Sequence, residues 1–259
     1  GAVPFHMWVP DVYDGAPTSV TAFVGTAPKI AAVVFAFRIL ITGMDTIHSD
    51  WAPMLAILAV ASLVVGNLAA IMQTNIKRML AYSTVSHMGF ILLAFMAGAV
   101  GFTAGLYYAI TYALMAAVSF GVLMVLSTKD IECENIKDLA GLNQRHAWFA
   151  FLMLLSMFSM AGIPPLMGFY AKFGVIMALL KQGHVWLSVF AVIMSLIGAF
   201  YYLRVVKVIY FDAPDHDQPV GSNYAAKFVL TVNAFLLLLW GIMPQTVIDW
   251  CAKALENTL

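Results

Sequence analysis

The longest apolar segment of the chain, Ala147–Lys181, reads Ala161-Gly162-Ile163-Pro164-Pro165-Leu166 at its centre. The segment is too long for one straight crossing of a bilayer, whose core of about 30 Å takes about 20 helical residues. Pro164 and Pro165 remove two backbone donors and clash with the preceding turn, so the helix is predicted to break there. Interrupted helices at membrane depth are typical of transporter binding sites and ion paths, because the freed backbone groups must face a cavity or other protein.

The composition of the whole chain indicates a membrane protein. Hydrophobic residues make up 63% and charged residues 10% of the sequence, whereas a soluble domain has about 25% charged residues. The mean hydropathy is +0.91. A net charge of zero, without any basic tract, argues against nucleic acid as a partner. No two histidines or cysteines share a short spacing, so no metal site is predicted.

Seven apolar segments are long enough to cross a bilayer, and they are predicted to be helices because lipid leaves irregular backbone without hydrogen-bond partners. They are Thr18–Thr42, Trp51–Met72, Met79–Ala97, Phe102–Leu126, Ala147–Lys181, Trp186–Tyr210 and Tyr224–Met243. The residues before them, Gly1–Pro17, contain three prolines and are interpreted as the end of a broken helix followed by a connection. We therefore predict a single membrane domain of an all-α polytopic protein, with about seven transmembrane helices, one of them broken. The absence of an initiator Met suggests a fragment that lacks its N-terminal part.

The basic residues left outside the spans predict the orientation. Counted from the N-terminal segment, one side of the membrane collects Lys77, Arg78, Lys129, Lys137, Arg145, Arg204, Lys207 and Lys227, whereas the other has Arg38, Lys181 and Lys253. The excess of positive charge places the N-terminal segment in the cytoplasm and the C-terminus on the opposite face. The mixed charges of Lys129–His146 predict a solvated cytoplasmic loop, with a docking surface for a neighbouring subunit as the alternative.

Two lysines lie inside predicted spans, and no Asp or Glu accompanies them there. A lysine at the centre of a bilayer costs about 2.5–3.5 kcal/mol even on the lenient insertion scale. Lys29 lies about 16 Å from the nearer end of its span at helical rise, too far for its ammonium to reach the interface comfortably. Lys172 lies nearer to its helix end, so a snorkelling lysine remains the alternative there. The depth of Lys29 in its span and the helix break before Lys172 favour a role for these two lysines in proton or ion movement.

His87 is the one histidine predicted at membrane depth, and it follows Ser83 and Thr84 on the same helix face. Histidine titrates near neutral pH and can pass a proton from one ring nitrogen to the other, although a structural histidine bonded to serine is the alternative. On the next predicted helix, one face carries the hydroxyls of Tyr108, Thr111, Tyr112 and Ser119. These hydroxyls could order water or tie the helices together.

Several motifs of the chain are similar to those of a known family. The run Gly1–Thr18, the run Gln73–Ser83, the motif Ser86-His87-Met88-Gly89 and the run Gly162–Phe173 resemble segments of the antiporter-like subunits of proton-pumping NADH:quinone oxidoreductase (respiratory complex I). Within this family, Thr26-Ala27-Pro28-Lys29 resembles the N type more than the Met-Val-Lys form of the L and M types. The resemblance extends over nearly the whole chain.

The resemblance implies a fold of fourteen helices with two inverted five-helix repeats, of which this chain would hold the eighth to fourteenth helices and the second repeat. It implies that Lys29 is the central lysine between half-channels, Lys172 the lysine nearest the exit, and His87 part of the axis between them. Supporting positions are Ser83, Thr84, Tyr108, Tyr112, Pro164 and Pro165. The family also pairs a lysine with a glutamate in helices that would precede Gly1.

The implied function is proton translocation through a relay of lysine, histidine and water, coupled to quinone reduction elsewhere in a bacterial inner-membrane complex. The complex would use NADH, FMN, iron–sulfur clusters and quinone, none of them bound by this chain. Partners would be an adjacent antiporter-like subunit, small membrane subunits and the lipid bilayer. The C-terminus would be periplasmic. Alternatives are a cation/proton antiporter, a membrane-bound hydrogenase subunit, or a structural membrane scaffold without an ion path.

Overall fold

The fold is known from a computed structural model that describes residues 1–127, 132–214 and 224–256, except for the side chains at positions 41, 42, 45 and 99. The described residues form α1 (Trp8–Gly15), α2 (Thr18–Val24), α3 (Ala27–Arg38), α4 (His48–Met72), α5 (Ile76–Met96), α6 (Gly98–Leu126), α7 (Leu142–Ala161), α8 (Met167–Lys181), α9 (Val185–Phe211), α10 (Tyr224–Ile242) and α11 (Pro244–Glu256). Apart from an isolated antiparallel bridge between Asn75 and Asn135, these parts of the chain contain only helices, turns and irregular backbone. The all-α prediction is confirmed.

Six candidate membrane spans are found among the described residues, formed by α2 with α3 and by α4, α5, α6, α9 and α10. The predicted number of seven is therefore not confirmed. The difference lies in the segment Ala147–Lys181, which is divided between α7 and α8. With 15 residues, α8 has a length of about 22 Å at helical rise, too short to cross a bilayer by itself.

The predicted break in this segment is confirmed. Helix α7 ends at Ala161, and Gly162 follows with a φ of +89°, a left-handed conformation that a side chain would strain. Helix α8 begins at Met167, after the two prolines. Its second residue, Gly168, donates its backbone N–H to Ser159 Oγ at 3.1 Å. The two halves of the broken helix therefore touch where they meet.

The predicted span Thr18–Thr42 is not one continuous helix, because a second break lies inside it. Helix α2 ends at Val24, and α3 starts after Thr26, whose backbone is not helical at φ −121° and ψ −88°. A Cβ on Gly25 would lie 3.2 Å from Tyr13 Oη, so α2 packs closely against the chain before it. Helix α3 ends at Arg38 and passes into a π-helical turn.

Both ends of the chain contain a short helix, and only the C-terminal one was not predicted. In Gly1–Pro17, interpreted as the end of a broken helix followed by a connection, α1 places Pro10 in its first turn, where a missing N–H costs nothing. At the other end, α11 buries Val247, Cys251 and Leu255, which are spaced four residues apart on one face. This face packs against α6.

Helix α5 lies at the centre of the molecule. Most of its residues are buried, and it packs against α1, α4, α6 and α8. Its close contact with α4 is permitted by Gly66 and Gly89, because a Cβ on either would meet the backbone of the other helix. The polar side chains of α5 are therefore surrounded by protein rather than by lipid.

The part of the predicted solvated loop that the structure describes is packed against the protein. Lys129, at its start, lies outside the described residues. Ile136 and Leu139 are buried, and the backbone N–H of Ile76 donates to the Glu134 carbonyl at 2.7 Å. Lys77, only 1% exposed at the start of α5, forms an ion pair of 2.7 Å with Glu132. Two acids of this loop, Glu132 and Glu134, therefore pair with the helix bundle, whereas Lys137 and Asp138 are exposed.

Candidate functional site

Lys29 lies in the first turn of α3, just after the break that follows α2. Its Nζ donates to Tyr13 Oη at 2.6 Å and to Tyr112 Oη at 3.1 Å. The same Nζ lies 4.6 Å from the centroid of the Tyr112 ring. Lys29 therefore points into the bundle, between α1 and α6.

Tyr112 connects Lys29 to the central helix. Its hydroxyl lies 2.5 Å from Thr84 Oγ1, and Thr84 also donates to the carbonyl of Leu80 in the preceding turn. We call Tyr13, Lys29, Tyr112 and Thr84 the first cluster. It spans α1, α3, α6 and α5, so four separate elements must be in place to form it.

His87 lies one turn farther along α5 and is held between two tyrosines. Its Nδ1 is 2.7 Å from Tyr108 Oη on α6, and its Nε2 is 3.0 Å from Tyr202 Oη on α9. The Tyr202 hydroxyl is also 2.5 Å from Ser83 Oγ. We call Ser83, Tyr202, His87 and Tyr108 the second cluster. Both ring nitrogens of His87 therefore have a partner that can either donate or accept a hydrogen bond.

Lys172 forms the third cluster, on α8 beyond the confirmed break. It is 8% exposed, and its Nζ donates to the Ala161 carbonyl and to Ser195 Oγ, both at 2.9 Å. Ala161 is the last residue of α7, so its carbonyl has no partner within the helix and lies at the negative end of the helix dipole. The break thus creates the acceptor that Lys172 uses.

The three clusters are close together but are separated by aromatic rings. The centroids of the His87 and Tyr112 rings are 5.0 Å apart, which brings the first and second clusters into contact. Phe90 stacks on Tyr108 at 5.6 Å, and Lys172 Nζ lies 5.6 Å from the centroid of the same Phe90 ring. In the described part of the chain, rings rather than direct hydrogen bonds join the three clusters.

The predicted site residues are distributed over these clusters. Lys29, Thr84 and Tyr112 belong to the first and Ser83, His87 and Tyr108 to the second, whereas Lys172 forms the third. Pro164 and Pro165 lie in the turn between α7 and α8, where they end the helix but contact none of the three clusters through a hydrogen bond among the described residues. The other two hydroxyls of the predicted polar face bond elsewhere: Thr111 donates to the Tyr107 carbonyl, and Ser119 lies 2.7 Å from Ser156 on α7.

Tyr13, Ser195 and Tyr202 were not predicted as site residues. The two residues on α9 carried a usable signal, because Ser188, Ser195 and Tyr202 recur every seven residues and therefore share one helix face. Tyr13 carried none, since its contact with Lys29 depends on the way α1 folds back on α3. Over the described ranges, no three His, Cys, Asp or Glu side chains are placed to hold a metal ion.

The sequence model of the family described as NADH:quinone oxidoreductase/Mrp antiporter, transmembrane, matches residues 1–198. The chain belongs to this family. Subunit N of NADH-quinone oxidoreductase from Neisseria gonorrhoeae is 83% identical to this member over 100% of the chain and 54% of the relative. The chain spans about half the length of the curated relatives it matches.

Solved structures show the same fold as this family member. A chain of respiratory complex I from Thermus thermophilus with bound aureothin superposes with a TM-score of 0.83 at 31% identity, covering 96% of this chain and 55% of the other. A chain of the Mrp complex from a Dietzia species superposes with a TM-score of 0.88 at 22% identity, over 99% and 56% of the two chains. The second likeness concerns the fold alone.

Proposed function

We propose that the chain is the proton-carrying part of an N-type subunit of a bacterial respiratory NADH:quinone oxidoreductase. One observation carries the proposal. Lys29 and Lys172 each follow a helix break, each binds neutral oxygen atoms, and the hydroxyl-bound His87 lies between them. Among the described residues, neither lysine forms an ion pair with a carboxylate.

The relay begins at Lys29, which receives a proton from the upstream part of the full-length subunit. The hydroxyls of Tyr13 and Tyr112 can accept from an ammonium or donate to an amine, so both states of Lys29 keep hydrogen bonds. His87 and ordered water pass the proton to Lys172. The Ala161 carbonyl and Ser195 hydroxyl hold the Lys172 amino group in place between arrival and release.

The proposal includes an orientation and a set of partners. The N-terminal segment lies in the cytoplasm, the C-terminus in the periplasm, and the protein in the inner membrane, as the excess of basic residues on one side indicates. An adjacent antiporter-like subunit and small membrane subunits surround the chain in the complex. NADH, FMN, iron–sulfur clusters and quinone act in other parts of that complex.

A cation/proton antiporter or a membrane-bound hydrogenase subunit is the second candidate, supported by the fold shared with the Mrp complex. Sodium would need several oxygen ligands. The oxygens that contact the two lysines are hydroxyls and one carbonyl, and the lysine side chains themselves are amines. These side chains suit proton transfer better than coordination of a metal cation. Proton transport that continues unchanged without sodium would separate the two candidates.

The test is Lys172→Ala in the full-length subunit of the assembled complex. Because the variant removes the last titratable group of the relay, proton pumping is expected to fall at least about tenfold, a conservative figure for the loss of a proton-transfer group. Pumping is measured in membrane vesicles beside NADH:quinone reductase activity. Lys207→Ala, which alters a lysine 69% exposed on α9, serves as the control. Full pumping by Lys172→Ala would show that the residue is no relay group and would favour the scaffold.

A further inference from the structure

Tyr202 is a buried hydroxyl that neither the sequence motifs nor the resemblance singled out. It is 1% exposed on α9 and lies at the meeting point of several polar side chains. Its hydroxyl is 3.0 Å from His87 Nε2, 2.5 Å from Ser83 Oγ and 3.3 Å from Tyr201 Oη. A hydroxyl has one proton to donate, so Tyr202 can donate to only one neighbour at a time.

The contacts of the second cluster admit two arrangements of protons. In the first, Ser83 donates to Tyr202, Tyr202 donates to Nε2 of His87, and the Nδ1–H of His87 donates to Tyr108. In the second, each of these three hydrogen bonds is reversed and His87 carries its proton on Nε2. A neutral imidazole has one donor and one acceptor nitrogen in either arrangement. The same distances therefore serve both arrangements without movement of a heavy atom.

We propose that Tyr202 is a relay residue, and that Ser83, Tyr202, His87 and Tyr108 conduct protons as one hydrogen-bonded chain. The inference rests on the proposed function and specifies the path taken past His87. Ser83 adjoins Thr84 of the first cluster along α5. Tyr108 stacks on Phe90, whose ring lies below Lys172. The chain thus extends from one lysine cluster toward the other.

Passage of one proton balances along this chain. A proton that binds Ser83 Oγ displaces the existing Ser83 proton to Tyr202, and Tyr202 passes its own proton to Nε2 of His87. The Nδ1 proton moves to Tyr108, which releases its former hydroxyl proton to an ordered water on the way to Lys172. Each group forms one O–H or N–H bond as it breaks another. One proton enters, one leaves, and the arrangement changes from the first to the second.

Tyr201 is the natural comparison, since it is adjacent in sequence and equally buried at 1% exposure. Its hydroxyl donates to Asn67 Oδ1 at 3.1 Å. Asn67 in turn donates from Nδ2 to the carbonyls of Leu63 and Met194. These donations fix Oδ1 as the atom that faces Tyr201. The Tyr201 hydroxyl thus ties α9 to α4 and makes no direct contact with His87.

The test compares Tyr202→Phe with Tyr201→Phe in the full-length subunit of the assembled complex. Both variants keep the ring and remove one buried hydroxyl, so any general effect of losing a buried hydroxyl is the same in both. We expect Tyr202→Phe to lower proton pumping at least about tenfold and Tyr201→Phe to leave most of it. Equal pumping by the two variants overturns the assignment of Tyr202. If Lys172→Ala still abolishes pumping in that case, the proposed function stands while this inference fails.

A second measurement applies if Tyr202→Phe does not assemble. Replacement of Tyr202 by difluorotyrosine keeps the ring and the hydroxyl but makes the phenol more acidic. The dependence of pumping on pH is then expected to change, because transfer through a relay hydroxyl depends on how readily that hydroxyl gives up its proton. The same replacement at Tyr201 is expected to leave the profile in place. Profiles that coincide for the unmodified protein and for both replacements contradict a relay role, since a structural hydroxyl would not change them selectively.

Discussion

At the scale of single residues, the two membrane lysines are held by different kinds of oxygen. Lys29 contacts two tyrosine hydroxyls, whereas Lys172 contacts a helix-end carbonyl and a serine hydroxyl. A hydroxyl can reverse its hydrogen bond, but a carbonyl can only accept one. Lys29 is therefore the position at which the surroundings adapt most easily to a change of protonation.

A permanent charge at position 29 tests whether the residue there must gain and lose a proton. Arginine keeps the positive charge but does not deprotonate in proteins. We expect Lys29→Arg in the assembled complex to lose most of its proton pumping while the complex continues to form. The measurement is pumping per NADH oxidised in vesicles, together with the amount of assembled complex.

The matched control for this variant is Lys253→Arg on α11, outside the three clusters. It is expected to pump normally. A Lys29→Arg variant that also pumps normally would contradict the role of Lys29 as a carrier, because only a fixed charge would then be needed there.

At the scale of helices, the junction of α7 with α8 determines where Lys172 lies. Gly168 packs so closely on α7 that a Cβ would overlap the Ser159 carbonyl oxygen. Lys172 lies one turn after Gly168 on the same side of α8, and it reaches back to the end of α7. The distance between the two helices therefore controls the Lys172 contact with Ala161.

We expect Gly168→Ala to force the two halves of the broken helix apart. Overpacking of this kind costs about 1–3 kcal/mol, more than the roughly 1 kcal/mol that alanine gains over glycine in a helix. The full-length subunit should assemble less well, and the complex that forms should pump fewer protons per NADH oxidised.

Gly174→Ala on the same helix is the control, because its Cβ would meet Ala104 Cβ at an ordinary 3.6 Å. This variant should be neutral or slightly stabilising. If both glycine variants behave alike in assembly and pumping, close packing at Gly168 does not position Lys172.

The two helix breaks differ in how far the sequence reveals them. The break after Ala161 was predictable because Pro164 and Pro165 act on their own backbone, whatever surrounds them. The break at Gly25 and Thr26 was not, since Pro28 is well tolerated in the first turn of a helix and the flanking residues are continuously apolar. At this break Gly25 packs against Tyr13, a contact made only in the folded protein.

At the scale of the whole molecule, the ion pair between Lys77 and Glu132 connects parts of the chain that are distant in sequence. Glu132 accepts from Lys77 on α5 at 2.7 Å and from Thr18 at the start of α2 at 3.1 Å. Lys77 also donates to the Ala16 carbonyl at 3.4 Å. The hydrogen bond from Lys77 lowers the pKa of Glu132 below its usual range.

Removal of Glu132 is expected to destabilise the subunit more than removal of Lys77. Glu132→Ala leaves a buried ammonium short of a partner, at a cost on the order of 1–3 kcal/mol. Lys77→Met replaces the ammonium by an apolar side chain and leaves Glu132, whose side chain is 36% exposed, hydrated by water. Stability is measured as the fraction of complex that survives heating after extraction from the membrane.

The same measurement over a pH series provides a second check. A carboxylate whose pKa is lowered on folding stabilises the protein above its unfolded pKa, and this contribution disappears as the pH falls through the lowered value. The difference between wild type and Glu132→Ala should therefore shrink at acid pH. Asp212→Ala, which breaks an exposed pair of 3.8 Å with Lys207, should have little effect at any pH. A Glu132→Ala effect no larger than this control would contradict the structural importance of the pair.

The site as a whole was only partly predictable from sequence. Lys29, His87 and Lys172 were found because each is a costly residue in an apolar segment, a property that a single position reveals. Tyr13 and Tyr202, which bind two of them, belong to elements distant in sequence. Their proximity results from the packing of α1 and α9 around α5, and no local pattern specifies which helices become neighbours.

On the proposed function, the aromatic rings between the clusters would limit leakage of protons through the subunit. A hydrogen-bonded chain unbroken from Lys29 to Lys172 would let protons run down their gradient continuously and dissipate the stored energy. In the structure, the Phe90 ring lies between Lys172 and Tyr108. The Lys172 amino group is 5.6 Å from the ring centroid, and Tyr108 stacks on the same ring. Phe90 therefore separates the two polar groups. On the proposed function, a proton crosses only when water or a side chain bridges the rings, so the complex can control the timing of each transfer.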